Sequence, residues 1–226
     1  MTMNLFDQFL IPYFIGVPLI VVSLLPTALC LTPPMRPLTG RMTMLLMWLM
    51  HNLTKQLLQQ APNQAHPWAM PLVATMLLLS LLNLLGLLPY TFTPTTQLSF
   101  NIGLAMPMWL ATILLGLRKQ LSKTIAHLLP AGSPPPLIPA LVVIETISNI
   151  VRPLALSVRI TANLTAGHLL VSLISMTLLT LISAAKAAAI FVTILLLLLT
   201  GLELAVALIQ AYVFVLLVTL YLQENM

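Results

Sequence analysis

Residues 186–222 read KAAAIFVTILLLLLTGLELAVALIQAYVFVLLVTLYL, an apolar run in which Glu203 is the single carboxylate. A helix needs about 20 residues to cross a hydrocarbon core of roughly 30 Å at right angles. This run is nearly twice that length, so it either contains a break or lies tilted in the membrane. Residues 202–222 contain neither glycine nor proline, and their absence favours a continuous, tilted helix.

The rest of the chain has the same membrane character. Of its residues, 60% are hydrophobic and 6% are charged, whereas soluble domains contain about 25% charged residues. We therefore predict an all-α integral membrane protein that forms a single membrane domain over residues 1–226. Its predicted membrane helices are helix 1 over 9–31, helix 3 over 68–88, helix 4 over 98–117, the long tilted helix 5 over 140–176 and the long tilted helix 6 over 186–222.

Residues 39–60 follow a different pattern. Methionines and leucines recur there at steps of three and four residues, while Lys55 and the glutamines beside it leave one side polar. This periodicity predicts an amphipathic helix that lies on the membrane surface rather than one that crosses the membrane.

Charge and motif content exclude several classes of function. The net charge of +5 comes mostly from residues 36–55 and 118–123, at the ends of apolar runs, and no basic face with interleaved aromatics indicates nucleic-acid binding. Cys30 is the only cysteine, so an intrachain disulfide and a thiolate metal cage are excluded. No phosphate-binding loop or zinc motif occurs. We therefore predict no cofactor, and no nucleotide hydrolysis by this chain alone.

Polar side chains recur down helix 5 at steps of three and four residues. At about 100° per residue, such steps form one stripe along a helix. An arginine near the bilayer centre costs about 2.5–3.5 kcal/mol on insertion scales, so two arginines on one stripe indicate a function. We expect a buried ionic constellation centred on Arg159. The stripe consists of Glu145, Asn149, Arg152, Leu156, Arg159 and Asn163.

The two arginines differ in their nearest carboxylates. Glu145 and Arg152 are seven residues apart, so Glu145 either supports Arg152 in a helix bundle or belongs to a proton path. Arg159 has no acidic residue within two helical turns. An unpartnered guanidinium in a membrane segment indicates a functional site.

Three further polar residues lie in the long helices. His168 is nine residues beyond Arg159, on the opposite side of an ideal helix, so the two should not touch. It is either a satisfied interior residue or a proton relay, because an imidazole changes its charge near neutral pH. Glu203 lies deep in an apolar run, with Gln210 on its face of helix 6. It is either bonded to a neighbouring helix or a group that binds and releases a proton.

Four stretches of the chain resemble one family over essentially its whole length and in the same order. The family is subunit a of the F-type ATP synthase, in its vertebrate, mitochondrial, organelle-encoded form. Four long matches make the resemblance specific, whereas a single arginine in a helix would not. The stretches are NLLGLLPYTFTPTTQLS at 83–99, PLIPALVVIETIS at 136–148, PLALSVRITANLTAGHLL at 153–170 and ELAVALIQAYVFVLLVTLYL at 203–222.

The resemblance implies roles for individual residues. Arg159 matches the essential arginine of the family, and Gln210 matches its partner-facing glutamine. The polar positions that line the proton path are matched by Glu145, His168 and Glu203. Together with Asn163 of the stripe, these residues are the predicted proton-translocation site.

The resemblance also implies a function and a setting. The chain would be the stator subunit of the membrane sector, with two half-channels that face a rotating c-ring and couple proton flow to ATP synthesis. Its partners would be the c-ring, the peripheral-stalk and other membrane-sector subunits, protons and the lipid bilayer. It would be a multi-pass protein of the mitochondrial inner membrane, and the nucleotide chemistry would reside in partner subunits.

Two other functions remain open at this point. A proton-coupled secondary transporter would use a substrate site at broken helices, although the sequence shows no internal repeat of the kind that many transporters have. A purely structural subunit of a respiratory complex would need Arg159 and Glu203 for assembly but not for specific activity.

Overall fold

The computed structural model describes residues 9–14, 16–24, 40–58, 67–88, 91–119 and 138–224. Nearly all of these residues are helical, which confirms the predicted fold class. A 3₁₀ turn at Pro94–Thr96 lies between the third and fourth helices. The helices are α1 at residues 19–24, α2 at Arg41–Leu58, α3 at Ala69–Gly86, α4 at Leu98–Lys119, α5 at Ile138–Ala184 and α6 at Lys186–Glu224.

Among the described helices, α3 to α6 are long and apolar enough to cross a membrane, judged by length and composition. The surface helix predicted over 39–60 corresponds to α2, which is not one of the four. Met44, Met47 and Trp48 of α2 are exposed, so the helix carries large apolar side chains that this chain does not cover. Its position on the membrane surface remains a prediction.

The start of predicted helix 1 is wrong. Strand β1 (Tyr13–Phe14) pairs antiparallel with β2 (Val17–Pro18), and helical geometry begins only at residue 19. Proline lacks the N–H that a helix interior needs, and Gly16 adopts a φ of +78°, a left-handed conformation that glycine tolerates best. The proline and glycine therefore favour a tight hairpin before the helix. Residues 25–31 of the prediction lie outside the described part of the chain.

The two long helices are continuous, with 47 residues in α5 and 39 in α6. The alternative of a hidden break is therefore wrong for both. Helix α5 extends past its predicted end at residue 176, and hydroxyls there donate to carbonyls of their own helix, as Thr180 does to Thr177 and Ser183 to Thr180. A helix of this length measures about 70 Å at 1.5 Å per residue. Its tilt in the membrane remains a prediction.

The chain divides into two compact units, whereas the single membrane domain over residues 1–226 stays a prediction. Unit 1 comprises residues 1–33, 77–98 and 159–212, and unit 2 comprises the remainder. Helices α3, α5 and α6 each contribute several residues to both units.

The core of unit 1 combines large aliphatic residues with small ones. Leu82, Ala207 and Ala211 are completely buried, and small residues such as alanine let membrane helices approach closely. Asn83, also buried, donates a hydrogen bond from Nδ2 to the carbonyl oxygen of Ala207 at 3.1 Å. This bond joins α3 to α6 one helical turn after Glu203. The core of unit 2 includes Leu72, Val73, Phe214, Val215 and Val218.

Candidate functional site

Two clusters of charged groups join the long helices. His168 and Glu203 form a pair in unit 1, and Arg152 contacts Glu145 and Glu224 in unit 2. Each cluster joins α5 to α6. The single stripe expected on helix 5 is therefore divided between different environments, and Leu156, at its middle, is buried in the core.

The pair in unit 1 links the imidazole of one long helix to the carboxylate of the other. His168 Nδ1 lies 3.3 Å from Glu203 Oε1, and the Glu203 side chain is only 7% exposed. The contact joins Glu203 to a neighbouring helix at ion-pair distance, and its capacity to bind and release a proton stays a prediction. The sequence did not predict the pair, because nothing in either helix specifies which residue of the other will face it.

Gly167 makes room for this carboxylate. A Cβ atom at residue 167 would lie 2.9 Å from Glu203 Oε1 and 3.3 Å from its Cδ. Contacts below 3.0 Å are essentially absent around real Cβ atoms. The glycine next to His168 therefore permits the close approach of the two helices at this point.

A cavity of about 1060 Å³ adjoins the pair. Within the described chain, His168 Nε2 and Glu203 Oε1 are buried without a hydrogen-bond partner. Buried polar atoms are normally satisfied by protein groups or by water, and a cavity of this size with polar groups in its lining can hold water. The pair therefore adjoins a space that can hold water beside the two residues that carry the unsatisfied atoms.

Hydroxyl groups extend the polar surface of the cavity. Ser172, Ser175 and Thr200 line it, and each donates its hydrogen to a carbonyl oxygen of its own helix. A hydroxyl oxygen that donates in this way still has lone pairs that accept hydrogen bonds. These side chains can therefore bind water in the cavity without breaking their helices.

The opposite side of the cavity comes from the N-terminal segment and the turn after α3. Phe9 and Pro12 contribute to the lining from the first, and Thr91 and Thr93 from the second. Gln97 Nε2 donates to the carbonyl oxygen of Phe9 at 2.6 Å and so fixes the two segments together. Residues before the hairpin thus line the cavity rather than form the start of a membrane-crossing helix.

The cluster in unit 2 contains one cation and two anions. Arg152 Nη1 donates to Glu224 Oε2 at 2.6 Å, whereas its Nη2 lies 3.5 Å from Glu145 Oε1. The Arg152 guanidinium carbon also lies 5.2 Å from the centre of the Tyr221 ring, a distance typical of a cation–π contact. Pairing of Glu145 with Arg152 was one of the two alternatives drawn from their spacing. The sequence patterns did not identify Glu224 as a partner of Arg152. Its place as the last acidic residue of the chain was the only sign of it in the sequence.

Arg159 lies on the surface of the chain, not in a buried constellation. Its side chain is exposed, and it makes no ion pair or hydrogen bond with any residue of the described segments. Ile160 and Leu164 occupy the buried side of α5 instead. Successive residues are turned by about 100°, so burying these two leaves Arg159 and Asn163 facing outwards.

The remaining predicted site residues are not joined to Arg159. Gln210 is partly buried and Asn163 is exposed, and neither makes a hydrogen bond within the part of the chain that the structure describes. Ala162 and Ala166, on the same outer side of α5 as Asn163, are exposed as well. The guanidinium is therefore flanked by small side chains on a surface that the described segments leave open.

Comparisons with known proteins agree with the resemblance of the motifs. The family model described as ATP synthase A chain matches residues 13–223. The chain is 56% identical over 226 residues to a protein of Struthio camelus named ATP synthase F(0) complex subunit a, and 56% identical over 226 residues to the protein of the same name from Salmo salar. The protein of that name from Xenopus laevis is 52% identical over 227 residues. Each match covers 100% of both chains.

Proposed function

The chain belongs to the ATP synthase A chain family, and on this premise we propose how its own residues move protons and prevent their leak. A subunit a of the F(0) complex is the proton-translocating stator subunit of the membrane sector, and nothing in the comparisons favours a secondary transporter. The proposal concerns the roles of the two charge clusters and of the exposed arginine.

The cavity beside His168 and Glu203 serves as one aqueous half-channel. The observation that carries this proposal is the buried pair with two unsatisfied polar atoms at a cavity of about 1060 Å³. Water in the cavity brings a proton to the pair, whose members are 3.3 Å apart and exchange it. An imidazole suits this step because it changes its charge near neutral pH. From Glu203 the proton passes to a carboxyl group of the c-ring.

Arg159 separates this half-channel from the second one. A guanidinium in a membrane segment needs an anion opposite it, and the described chain supplies none. A ring carboxylate that arrives at Arg159 meets this need, and the positive charge favours its ionised form. The exposed Ala162 and Ala166 let a partner helix approach closely.

The same charge prevents a direct leak, because it repels protons that would otherwise pass between the half-channels. One proton moved across 100 mV releases about 2.3 kcal/mol. This energy is available to rotation only if every proton travels on the ring. Glu145 in unit 2 belongs to the second path, and Gln210 and Asn163 contact the ring.

The setting of the chain follows from the same proposal. The membrane is the mitochondrial inner membrane, a location supported by the likeness of the motifs to the organelle-encoded form. The partners are the c-ring, the peripheral stalk and other membrane-sector subunits. The chain is non-catalytic, since its sequence has no phosphate-binding loop, and partner subunits carry out the nucleotide chemistry.

Replacement of Arg159 by alanine tests the proposal. In membranes that carry the assembled complex, we expect Arg159→Ala to abolish ATP synthesis while passive proton leak stays or increases. Arg118→Ala is the matched control, because Arg118 is also an exposed arginine but lies at the end of α4, and it should leave both rates unchanged. Near-normal synthesis by Arg159→Ala would refute the role of the guanidinium as a barrier.

A further inference from the structure

Arg152 contacts its two carboxylates unequally. It donates a hydrogen bond to Glu224 at 2.6 Å, but its contact with Glu145 is 3.5 Å long and is an ion pair without a hydrogen bond. Charge-assisted hydrogen bonds of an arginine are usually about 2.7–2.9 Å long. The guanidinium is therefore held by Glu224, and Glu145 receives its charge without its full hydrogen bonding.

We propose that Arg152 and Glu224 are positioning residues that keep Glu145 in a loose ion pair, so that its carboxylate remains free to accept and release a proton. This inference rests on the proposed function of Glu145 in the second proton path. It adds a role for two residues, of which Arg152 lies in the first third of α5 and Glu224 is the last residue of α6.

The arrangement of the N–H groups on the Arg152 guanidinium explains why two anions are needed. A lone carboxylate opposite an arginine commonly takes both of its parallel N–H groups in a bidentate pair. Such a pair would occupy both oxygens of Glu145 and make proton exchange slow. Glu224 prevents this arrangement by taking Nη1, and the Tyr221 ring holds the guanidinium from its face.

Exposure supports the same conclusion. The Glu145 side chain is 33% exposed beside a guanidinium that is 26% exposed. The carboxylate is thus neither sealed in the core nor covered by Arg152. A proton donor outside this chain can reach it while the positive charge remains 3.5 Å away.

The inference predicts an unusual order of activities. Glu224→Gln should release the guanidinium to form a bidentate pair with Glu145, and the rate of ATP synthesis per assembled complex should fall about tenfold, the factor that one additional hydrogen bond between charged groups corresponds to. The double variant Arg152→Gln with Glu224→Gln removes the competing cation as well. It should therefore be clearly faster than Glu224→Gln alone.

The measurement is ATP synthesis at a fixed proton gradient in membrane vesicles that carry the complete complex, normalised to the amount of assembled complex. Gln223→Ala is the matched control at the neighbouring exposed position of α6 and should match the unmodified protein. If Arg152 and Glu224 only hold the helices together, the double variant will be as slow as Glu224→Gln or slower, and this result would overturn the inference.

A Glu145→Gln variant separates this inference from the proposed function. A normal rate in Glu145→Gln would overturn the proton-path role of Glu145 and the positioning role with it. A reduced rate in Glu145→Gln together with a normal rate in Glu224→Gln would overturn the positioning role alone. Slow Glu145→Gln and Glu224→Gln, with recovery in the double variant, would support both.

Discussion

The substitution Gly167→Ala perturbs the His168–Glu203 pair without removing either residue. The added Cβ would lie 2.9 Å from Glu203 Oε1, whereas ordinary contacts begin at 3.4 Å. The carboxylate must therefore move by about 0.5 Å, the difference between these distances. A shift of this size away from His168 lengthens the 3.3 Å contact to about 3.8 Å and so hinders proton exchange within the pair.

The expected loss concerns proton transfer more than stability. Alanine is better than glycine inside a helix by about 1 kcal/mol, and overpacking costs about 1–3 kcal/mol, so the two effects largely offset each other. A misplacement of 1 Å at a reacting group can cost about 10²-fold in rate. For half that displacement we expect ATP synthesis per assembled complex to fall on the order of tenfold.

The assay compares Gly167→Ala with Gly201→Ala in membranes that carry the complex. Gly201 lines the same cavity, but a Cβ there would meet nothing within 4 Å. It therefore controls for the effect of the added methyl group on the helix and on the cavity. Equal synthesis rates in the two variants would refute the reasoning, since they would show that proton transfer does not depend on the position of the Glu203 carboxylate.

Two further predictions concern the same unit. Glu203→Gln keeps the shape of the side chain but cannot carry a proton as a carboxylate does, so we expect it to abolish ATP synthesis in an assembled complex. Glu203→Asp should retain part of the rate. Normal synthesis by Glu203→Gln would contradict the half-channel. Asn83→Ala removes the buried hydrogen bond to the Ala207 carbonyl, which should cost about 1–3 kcal/mol of stability and lower the thermal midpoint of the complex. Ser80→Ala, whose hydroxyl bonds only to Leu77 of its own helix, should have little effect, and equal midpoints would contradict the role of Asn83.

The fold shows which features sequence patterns can predict without knowledge of the tertiary structure. Long apolar runs specify helices because a membrane leaves no other partner for the backbone N–H and C=O groups, and this requirement does not depend on the neighbours of each helix. The pattern was less informative at the chain start. There the apolar content of residues 9–24 predicted a helix, but the prolines and Gly16 produced a hairpin through local geometry.

The candidate site also has features that the sequence determines and features that only the tertiary structure determines. The sequence by itself determined which residues carry charge in the apolar helices, and the cost of charge in a membrane is reason enough to single out Arg159, Glu145 and Glu203. Only the tertiary structure decided the partners: His168 for Glu203, and Glu224 rather than Glu145 for the hydrogen bond of Arg152. It also decided that Arg159 is exposed. The periodicity of one helix fixes the angle between its residues but not which side the next helix will cover, because that choice depends on how all the side chains of both helices pack together.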